Sequence, residues 1–91
     1  MRITWDPAKA VENLRRHRVR FEEAGEVLRD PLALTREDPR HDEPRFVTLG
    51  ATRTGTVLVV VYAYAGDADI RLISAREASR AERRAYADAP R

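Results

Sequence analysis

The sequence predicts an α+β domain in which a small antiparallel sheet carries two helices from the N-terminal part and one helix at the C-terminal end. Three observations support this prediction. Residues 56–65 form an apolar run rich in valine and tyrosine, which is typical of a strand. Asp6-Pro7 combines a preferred N-cap residue with a proline at the first helical position. Ser79 and Glu82 have the spacing of a capping box, which indicates the start of another helix.

The apolar run of residues 56–65 organises the predicted sheet. In an extended chain, alternate residues starting at Val57 point to one face, and those starting at Leu58 point to the other. Both sets are apolar, so both faces need to be covered or paired. This pattern predicts a central strand rather than an edge strand.

The N-terminal part predicts a short strand followed by two helices. The strand is expected at Ile3-Thr4-Trp5, and the first helix should run from Pro7 to about His17. Its buried stripe is predicted to contain Ala10, Val11 and Leu14. Residues 21–29 also have helical apolar spacing, and Asp30-Pro31 should end this second helix.

The C-terminal part predicts an antiparallel β-meander. Residues 35–44 are polar and charged and contain two prolines, so a loop is expected there. Strands are expected at residues 45–51 and 70–74, on either side of the central run in the sequence. A final helix should cover about residues 80–87. The predicted order is β-α-α-β-β-β-α in a single domain, residues 1–91.

The composition limits the classes of function. The chain has 91 residues, a net charge of +2 and no cysteine, and 16 of its 17 basic residues are arginine. Net charge is +2 over residues 1–29, −3 over 30–44 and +3 over 45–91, so two basic parts flank an acidic connector. This distribution favours a modest surface for an anionic ligand, although GC-rich coding would also explain the arginines.

Targeting and cofactor signals are missing from the sequence. The N-terminus lacks the apolar segment of a signal peptide, so we expect a cytoplasmic protein with no membrane partner. The chain contains no nucleotide-binding or metalloprotease motif, and two histidines without cysteine do not favour a metal site. We therefore expect neither a metal ion nor a cofactor.

The first candidate site is a polar stripe on the first predicted helix. Its members have the spacing i, i+4, i+7 and i+8, and they are Lys9, Asn13, Arg16 and His17. A histidine can accept or donate a proton near neutral pH, and lysine and arginine can bind phosphate oxygens. The alternative is a solvated helix face whose basic residues lie favourably near the helix C-terminus.

The second candidate site is formed by Arg71 and Arg76. Arg71 interrupts an apolar strand, where simple alternation puts it on the same face as Ile73, and Arg76 lies where this strand leads into the last helix. Two arginines in these positions could clamp a phosphate and stabilise charge that develops on it. An ion-pairing arginine at the sheet surface is the alternative.

The third candidate site is a patch on the last predicted helix. Arg80, Arg83 and Arg84 have the spacing i, i+3 and i+4, and Tyr86 follows them. The alternative is a solvated face that pairs with Glu77 and Glu82, with Tyr86 as a packing residue.

A set of short motifs follows in a fixed order along nearly the whole chain. The set contains Trp5-Asp6-Pro7-Ala8-Lys9-Ala10, Asn13-Leu14, His17, Val19, Phe21-Glu22-Glu23-Ala24, Asp30-Pro31, Arg45, Gly50, Arg71-Leu72-Ile73-Ser74-Ala75-Arg76, Arg80, Glu82-Arg83 and Tyr86. Together with the valine-rich strand, this ordered set resembles the BrnT toxins of bacterial type II toxin–antitoxin systems.

The resemblance implies a compact ribonuclease related in fold to the RelE toxins, which cleaves RNA without a metal ion and inhibits translation. It also implies a BrnA-like ribbon-helix-helix antitoxin, and contact with operator DNA only through that antitoxin. Two departures are visible. Arg20 stands where a capping Ser or Thr is common, and Arg16-His17-Arg18 stands where Lys-His-Gly is usual.

With this resemblance, Lys9 and His17 are assigned to proton transfer or its electrostatic support, and Arg71 and Arg76 to the phosphate. RNA contacts are assigned to Asn13, Arg16, Arg80, Arg83 and Tyr86. The four catalytic candidates are expected to meet in one pocket. A non-catalytic basic binding module and a ribosome-dependent nuclease remain the alternatives.

Overall fold

The computed structural model describes residues 1–90, which form three helices and five strands. In chain order these elements are β1 (Ile3–Thr4), α1 (Pro7–His17), α2 (Phe21–Val27), β2 (Leu34–Asp38), β3 (Arg45–Ala51), β4 (Val57–Ala65), β5 (Asp69–Glu77) and α3 (Arg80–Asp88). The α+β class, the central position of β4 and the bounds of α1 and β3 agree with the sequence predictions.

The five strands form one mixed sheet in the order β1-β5-β4-β3-β2. Strands β3, β4 and β5 form the predicted antiparallel meander, and β2 extends it by one strand. Strand β1 pairs parallel to β5, with Ile3 opposite Ile70. The prediction of a purely antiparallel sheet was therefore wrong, because the two helices carry the chain far enough for a parallel partner to form later in the sequence.

Strand β2 corrects the loop that was predicted at residues 35–44. Leu34–Asp38 pairs with β3 along its full length, and only the segment after it is a loop. Four of its five residues are exposed, because β2 is an edge strand. Charged side chains such as Arg36 and Glu37 protect exposed edges, and they also make such a strand look like a loop in sequence. The observed order is β-α-α-β-β-β-β-α.

The two faces of the sheet have different surroundings. The residues of β4 that alternate from Leu58 pack against Phe21, Ala24 and Val27 of the α2 region and form the core. The other face, which we call the open face, carries two cross-strand rows defined by the strand register. These rows are Leu34–Leu49–Val59–Arg76 and Arg36–Val47–Val61–Ser74.

Helix α1 begins as predicted but buries a different side. The Asp6 side chain accepts a hydrogen bond from the Ala8 N–H at 2.9 Å, which confirms the N-cap. Ala10 packs against the core as predicted. Val11 is 70% exposed and Leu14 is 41% exposed, so the prediction was wrong for these two residues. In the polar stripe, Asn13 is only 5% exposed and His17 is partly buried, whereas Lys9 and Arg16 are exposed.

Hydrogen bonds to the backbone explain why Asn13 is buried. Its Nδ2 donates to the carbonyls of Ala75 at 2.9 Å and Val19 at 3.0 Å, and its Oδ1 accepts from the Ala75 N–H at 3.0 Å. The amide thus pairs with β5 as a neighbouring strand would. Burial of this polar side chain is favourable because each of its groups is paired.

The two departures in sequence have local consequences. Arg18 ends α1 in the left-handed region, with φ 61°, where glycine is preferred, and its N–H donates to the Leu14 carbonyl at 2.9 Å. Arg20 offers no acceptor at the start of α2, and Glu23 reaches back to accept from the Arg20 N–H at 3.4 Å. The C-terminus of α1 and the N-terminus of α2 therefore form although the residues usual at these positions are absent.

Helix α3 is held mainly by polar contacts, since none of its residues, 80–88, is buried. The predicted capping box is present, with Ser79 Oγ accepting from the Glu82 N–H at 3.1 Å and Glu82 accepting from the Ser79 N–H at 2.8 Å. Arg76 also donates two hydrogen bonds to the Glu82 carboxylate, at 2.8 and 2.9 Å. The Arg76 guanidinium and the Ser79 N–H lower the pKa of Glu82 to about 2.

Replacing Asn13 with leucine should lower the free energy of unfolding by about 3 kcal/mol, because buried backbone groups of Val19 and Ala75 lose their partners. Urea denaturation followed by circular dichroism measures this change. Val11→Ala is the control on the same helix and should stay within about 0.5 kcal/mol of the parent. An Asn13→Leu variant that unfolds at the parent midpoint would contradict the role of this amide.

Glu82→Gln should reveal a pH-dependent contribution to stability. The pKa of Glu82 is about 2 in the folded chain and about 4.3 in an unfolded one. The ionised carboxylate therefore stabilises the fold above about pH 4.3, and this stabilisation is lost as the pH falls toward 2. At pH 7 the parent should be more stable by about 1 kcal/mol, since solvent screens a partly exposed pair. Urea titrations should show the difference disappearing in acid, and a constant difference would contradict the assignment.

Candidate functional site

The polar stripe of α1 lies beside the edge of β5, because Asn13 fixes the helix there. Lys9, Arg16 and His17 line a cavity of about 160 Å³, which we call the α1 cleft. Asn13 also borders this cleft, and its remaining wall is formed by Glu12, Ile73 and Ser74. The residues grouped by helical spacing therefore share one cleft in the folded chain.

Glu12 gives the α1 cleft a negative charge that the sequence analysis missed. Its carboxylate accepts from Arg15 at 2.7 Å and lies 3.7 Å from Arg16. The Arg15 guanidinium lowers the pKa of Glu12, with a smaller contribution from Arg16. The i, i+3 and i, i+4 spacing of these residues was the available signal. The cleft therefore combines basic side chains with one carboxylate.

A β-bulge in β5 changes which side chains reach the α1 cleft. The register shifts between Val61 and Tyr62, which leaves Ile73 as an extra residue in β5. Bulges redirect side chains and often lie next to functional sites. Here Ile73 lines the α1 cleft together with Ser74. The alternation that predicted a shared face for Arg71 and Ile73 is broken at this point.

Arg71 and Arg76 project from the open face, since both pair with β4 residues of that face. Arg71 donates to Glu43, which lies in the segment between β2 and β3. Arg76 forms the bidentate pair with Glu82 of α3. Each arginine that the sequence assigned to phosphate is therefore held by a carboxylate from outside the sheet.

A second cavity, of about 410 Å³, lies on the open face, and we call it the open-face cleft. Its floor is aliphatic, and its rim carries three arginines together with Asp38 and Glu82, which pair with two of them. The floor includes Val47, Leu49, Val59 and Val61, and the rim includes Arg36, Arg40 and Arg76. This combination suits a ligand that has both apolar and acidic groups.

The two pairs of predicted catalytic residues do not share a cavity. Lys9 and His17 line the α1 cleft, which is bordered by neither Arg71 nor Arg76, while Arg76 lines the open-face cleft. The cavities are neighbours, because Ser74 of the α1 cleft pairs with a β4 residue that lines the other one. In place of the expected single pocket, these residues lie in neighbouring regions joined by β5.

The predicted RNA-binding residues of α3 have separate surroundings. Arg83 Nη1 donates to a backbone carbonyl at 2.8 Å, and the Tyr86 hydroxyl donates to Asp30. These contacts attach α3 to the rest of the domain. Arg80 is exposed and borders a shallow cavity on the outer side of this helix.

Asp38 is a buried carboxylate at the open-face cleft, with 4% exposure. Arg40 donates to it at 2.8 and 2.9 Å, and His41 Nε2 lies 3.6 Å away. The Arg40 guanidinium holds the pKa of Asp38 well below its usual range. The sequence analysis missed this residue because it expected a loop at this position.

Residues 1–90 contain neither a cluster of metal-binding side chains nor a membrane-spanning helix. In this part of the chain, no three His, Asp or Glu side chains come together as a metal site would require. No helix of the same residues is both long enough and apolar enough to cross a bilayer.

Comparisons with known proteins agree with the resemblance seen in sequence. A family model described as "Ribonuclease toxin, BrnT, of type II toxin-antitoxin system" matches residues 5–82. No curated protein sequence matches the chain. The 1.1 Å crystal structure of the Brucella abortus ribonuclease toxin BrnT is similar, with a TM-score of 0.67 and 23% identity over 88% of this chain and 99% of that chain.

The structural similarity shows a shared fold, and the family match covers the chain from the residue after β1 into the first turn of α3. It includes Lys9, His17, Arg71 and Arg76. The chain therefore belongs to the BrnT family of ribonuclease toxins of type II toxin–antitoxin systems.

Proposed function

We propose that this chain is an endoribonuclease toxin that cleaves RNA without a metal ion and thereby inhibits translation in the cytoplasm. Family membership supports ribonuclease activity. The observation that supports metal-free cleavage is that basic side chains lie along β5, both in the α1 cleft and on the open face. Residues 1–91 would form one toxin domain, related in fold to the RelE toxins.

Metal-free cleavage of RNA requires three chemical roles. A base removes the proton of the 2′-hydroxyl, an acid protonates the leaving 5′-oxygen, and cations stabilise the pentacoordinate phosphorane. We assign proton transfer to His17, with Lys9 as its partner or electrostatic support, and phosphate binding to Arg71 and Arg76. The products would be a 2′,3′-cyclic phosphate and a 5′-hydroxyl.

The spacing of the two arginines favours contacts with different phosphates. Their β4 partners, Ala63 and Val59, are four residues apart, which corresponds to about 13 Å along a strand. Side chains that leave the sheet this far apart reach different phosphates more readily than the same one. An RNA strand lying along β5 would meet both arginines and pass beside His17.

Arg16 and Arg80 remain the candidates for further RNA contacts, because Arg16 lines the α1 cleft and Arg80 is exposed. Asn13, Arg83 and Tyr86 were also assigned to RNA by the sequence analysis. Each of these three makes intramolecular hydrogen bonds. We therefore assign them positioning roles in the present proposal.

Membership of a type II toxin–antitoxin family implies an antitoxin partner. We propose that this partner is a BrnA-like ribbon-helix-helix protein and that operator DNA is contacted only through it. The aliphatic floor and basic rim of the open-face cleft would suit apolar and acidic side chains of an antitoxin segment. Such a segment would cover Arg76 and so offers a route to neutralisation.

His17→Ala, Arg71→Ala and Arg76→Ala should each slow the cleavage of labelled RNA in the presence of EDTA. Loss of a general acid or base lowers a rate by about 10²-fold or more, and loss of the arginine at the phosphorane has an effect of about the same size. The arginine that binds a neighbouring phosphate should have a smaller effect, because it only positions the RNA. Rates of RNA decay with the purified variants measure this. Arg53→Ala is the matched control, because Arg53 is 86% exposed, and it should cleave at the parent rate.

Parent-rate cleavage by all three variants, each shown to be folded by circular dichroism, would mean that the reaction takes place elsewhere. Binding of RNA without cleavage would favour the non-catalytic module. Cleavage that occurs only on ribosomes would favour the ribosome-dependent nuclease. Loss of the parent's activity in EDTA would contradict the metal-free reaction.

A further inference from the structure

Arg45 and Arg71 lie on either side of Ala63 on the open face of the sheet. Arg71 pairs with Ala63, and Arg45 precedes Val47 by two residues, so it shares the face of Val47 and its partner Val61. Adjacent strands are about 4.8 Å apart, so the Cα atoms of the two arginines are separated by about 10 Å. The small side chain of Ala63 leaves room for their guanidinium groups to approach each other above β4.

Arg45 carries a hydrogen-bond donor that lacks an acceptor. Its Nε atom is buried and has no hydrogen-bond partner within residues 1–90. Asp38 lies opposite Arg45 in the strand register, but both of its carboxylate oxygens accept from Arg40, at 2.8 and 2.9 Å. A buried N–H without a partner is unfavourable, so a movement of the Arg45 side chain that brings Nε to a ligand oxygen would be favourable.

The neighbouring Arg71 already holds an internal anion. Its Nη2 donates to Glu43, which comes from the segment between β2 and β3. Glu43 precedes β3 by two residues, and β4 lies between β3 and β5, so this contact spans β4 near the position of Arg45. Side chains of the pair are 37% and 47% exposed. Exposed ion pairs are weak, so another anion can replace the carboxylate at little cost.

We propose that Arg45 and Arg71 together bind a phosphodiester group of RNA and that Glu43 competes with this group as an internal carboxylate. The proposal rests on the proposed function, because it takes RNA as the ligand. It adds Arg45 and Glu43 to the site, and it gives Arg71 a partner on the same face. Arg45 binds the substrate and takes no part in proton transfer.

The chemistry of the two anions explains the competition. Carboxylate and phosphate oxygens both accept charge-assisted hydrogen bonds from guanidinium groups, often two at a time. A phosphate above β4 would replace Glu43 at Arg71, and the Arg45 guanidinium would move to donate to the same phosphate. The Glu43 carboxylate contacts only Arg71, whereas one RNA phosphate would contact both Arg45 and Arg71.

Binding of a 2′-O-methyl RNA oligonucleotide tests this site separately from cleavage, because its 2′-oxygen cannot attack the phosphate. Fluorescence anisotropy at several salt concentrations measures both the Kd and its salt dependence. Arg45→Gln should weaken binding about tenfold and reduce the salt slope by about 0.7. Glu43→Gln should strengthen binding by about threefold, because Arg71 loses its internal competitor.

Arg53→Gln is the matched control for this experiment. It removes one positive charge from the turn between β3 and β4, beyond the end of β3 opposite to Arg45, and should bind like the parent. Arg45→Lys keeps the charge but loses the bidentate geometry, so its affinity should lie between those of the parent and Arg45→Gln. If Arg45→Gln does not fold, Arg45→Lys and Glu43→Gln decide the test.

Opposite effects of the Arg45 and Glu43 variants separate a binding site from a structural brace. If the two residues only brace the fold, both variants lower the Tm and neither one tightens RNA binding, which overturns the proposal. Parent-like affinity of folded Arg45→Gln overturns it as well, and so does weaker binding by Glu43→Gln.

Failure of this site and failure of the proposed function give different results. If the chain does not cleave natural RNA but the two variants shift binding in opposite directions, the binding site stands and the endoribonuclease proposal fails. If cleavage depends on His17 and Arg76 while Arg45→Gln and Glu43→Gln bind like the parent, the nuclease stands and this binding site is overturned.

Discussion

The rest of the site depends on the hydrogen bonds between the Asn13 amide and the edge of β5. A strand edge exposes backbone donors and acceptors that need partners. Asn13 offers one donor group and one acceptor to Ala75, so α1 occupies the position that a further strand would take. This contact holds Lys9 and His17 against the sheet, although it leaves Val11 and Leu14 exposed to solvent.

Carboxylates orient the basic side chains of the open face. Glu82 holds Arg76, and Asp38 holds Arg40. Glu43 does the same for Arg71 from a segment that lies outside the sheet. The Arg76–Glu82 pair keeps its guanidinium in a defined position, because the Ser79 N–H also holds Glu82, whereas the exposed Arg71–Glu43 pair is weaker. Under the proposed function, a phosphate that binds to Arg71 or Arg76 would have to replace one of these carboxylates.

Sequence patterns predicted the elements well wherever neighbours along the chain supply the stabilising contact. The cap at Asp6 and the capping box of Ser79 and Glu82 are examples, since both are formed within one helical turn. The pattern failed for β2, where exposed edge residues resemble a loop. It also failed for the buried side of α1, because hydrogen bonding rather than hydrophobicity buries Asn13.

Local sequence was thus sufficient for the α+β class, the central strand, the arginine-rich character and the family resemblance, because short motifs and composition carry that information. It was not sufficient for the arrangement of the site. Asn13 and Ala75 are 62 residues apart, and Arg71 and Glu43 are 28 apart. Only the folded chain brings such residues together, and the bulge at Ile73 and the parallel pairing of β1 arise from the same long-range register. These contacts decided that the candidate residues lie in two neighbouring regions along β5 rather than in one pocket.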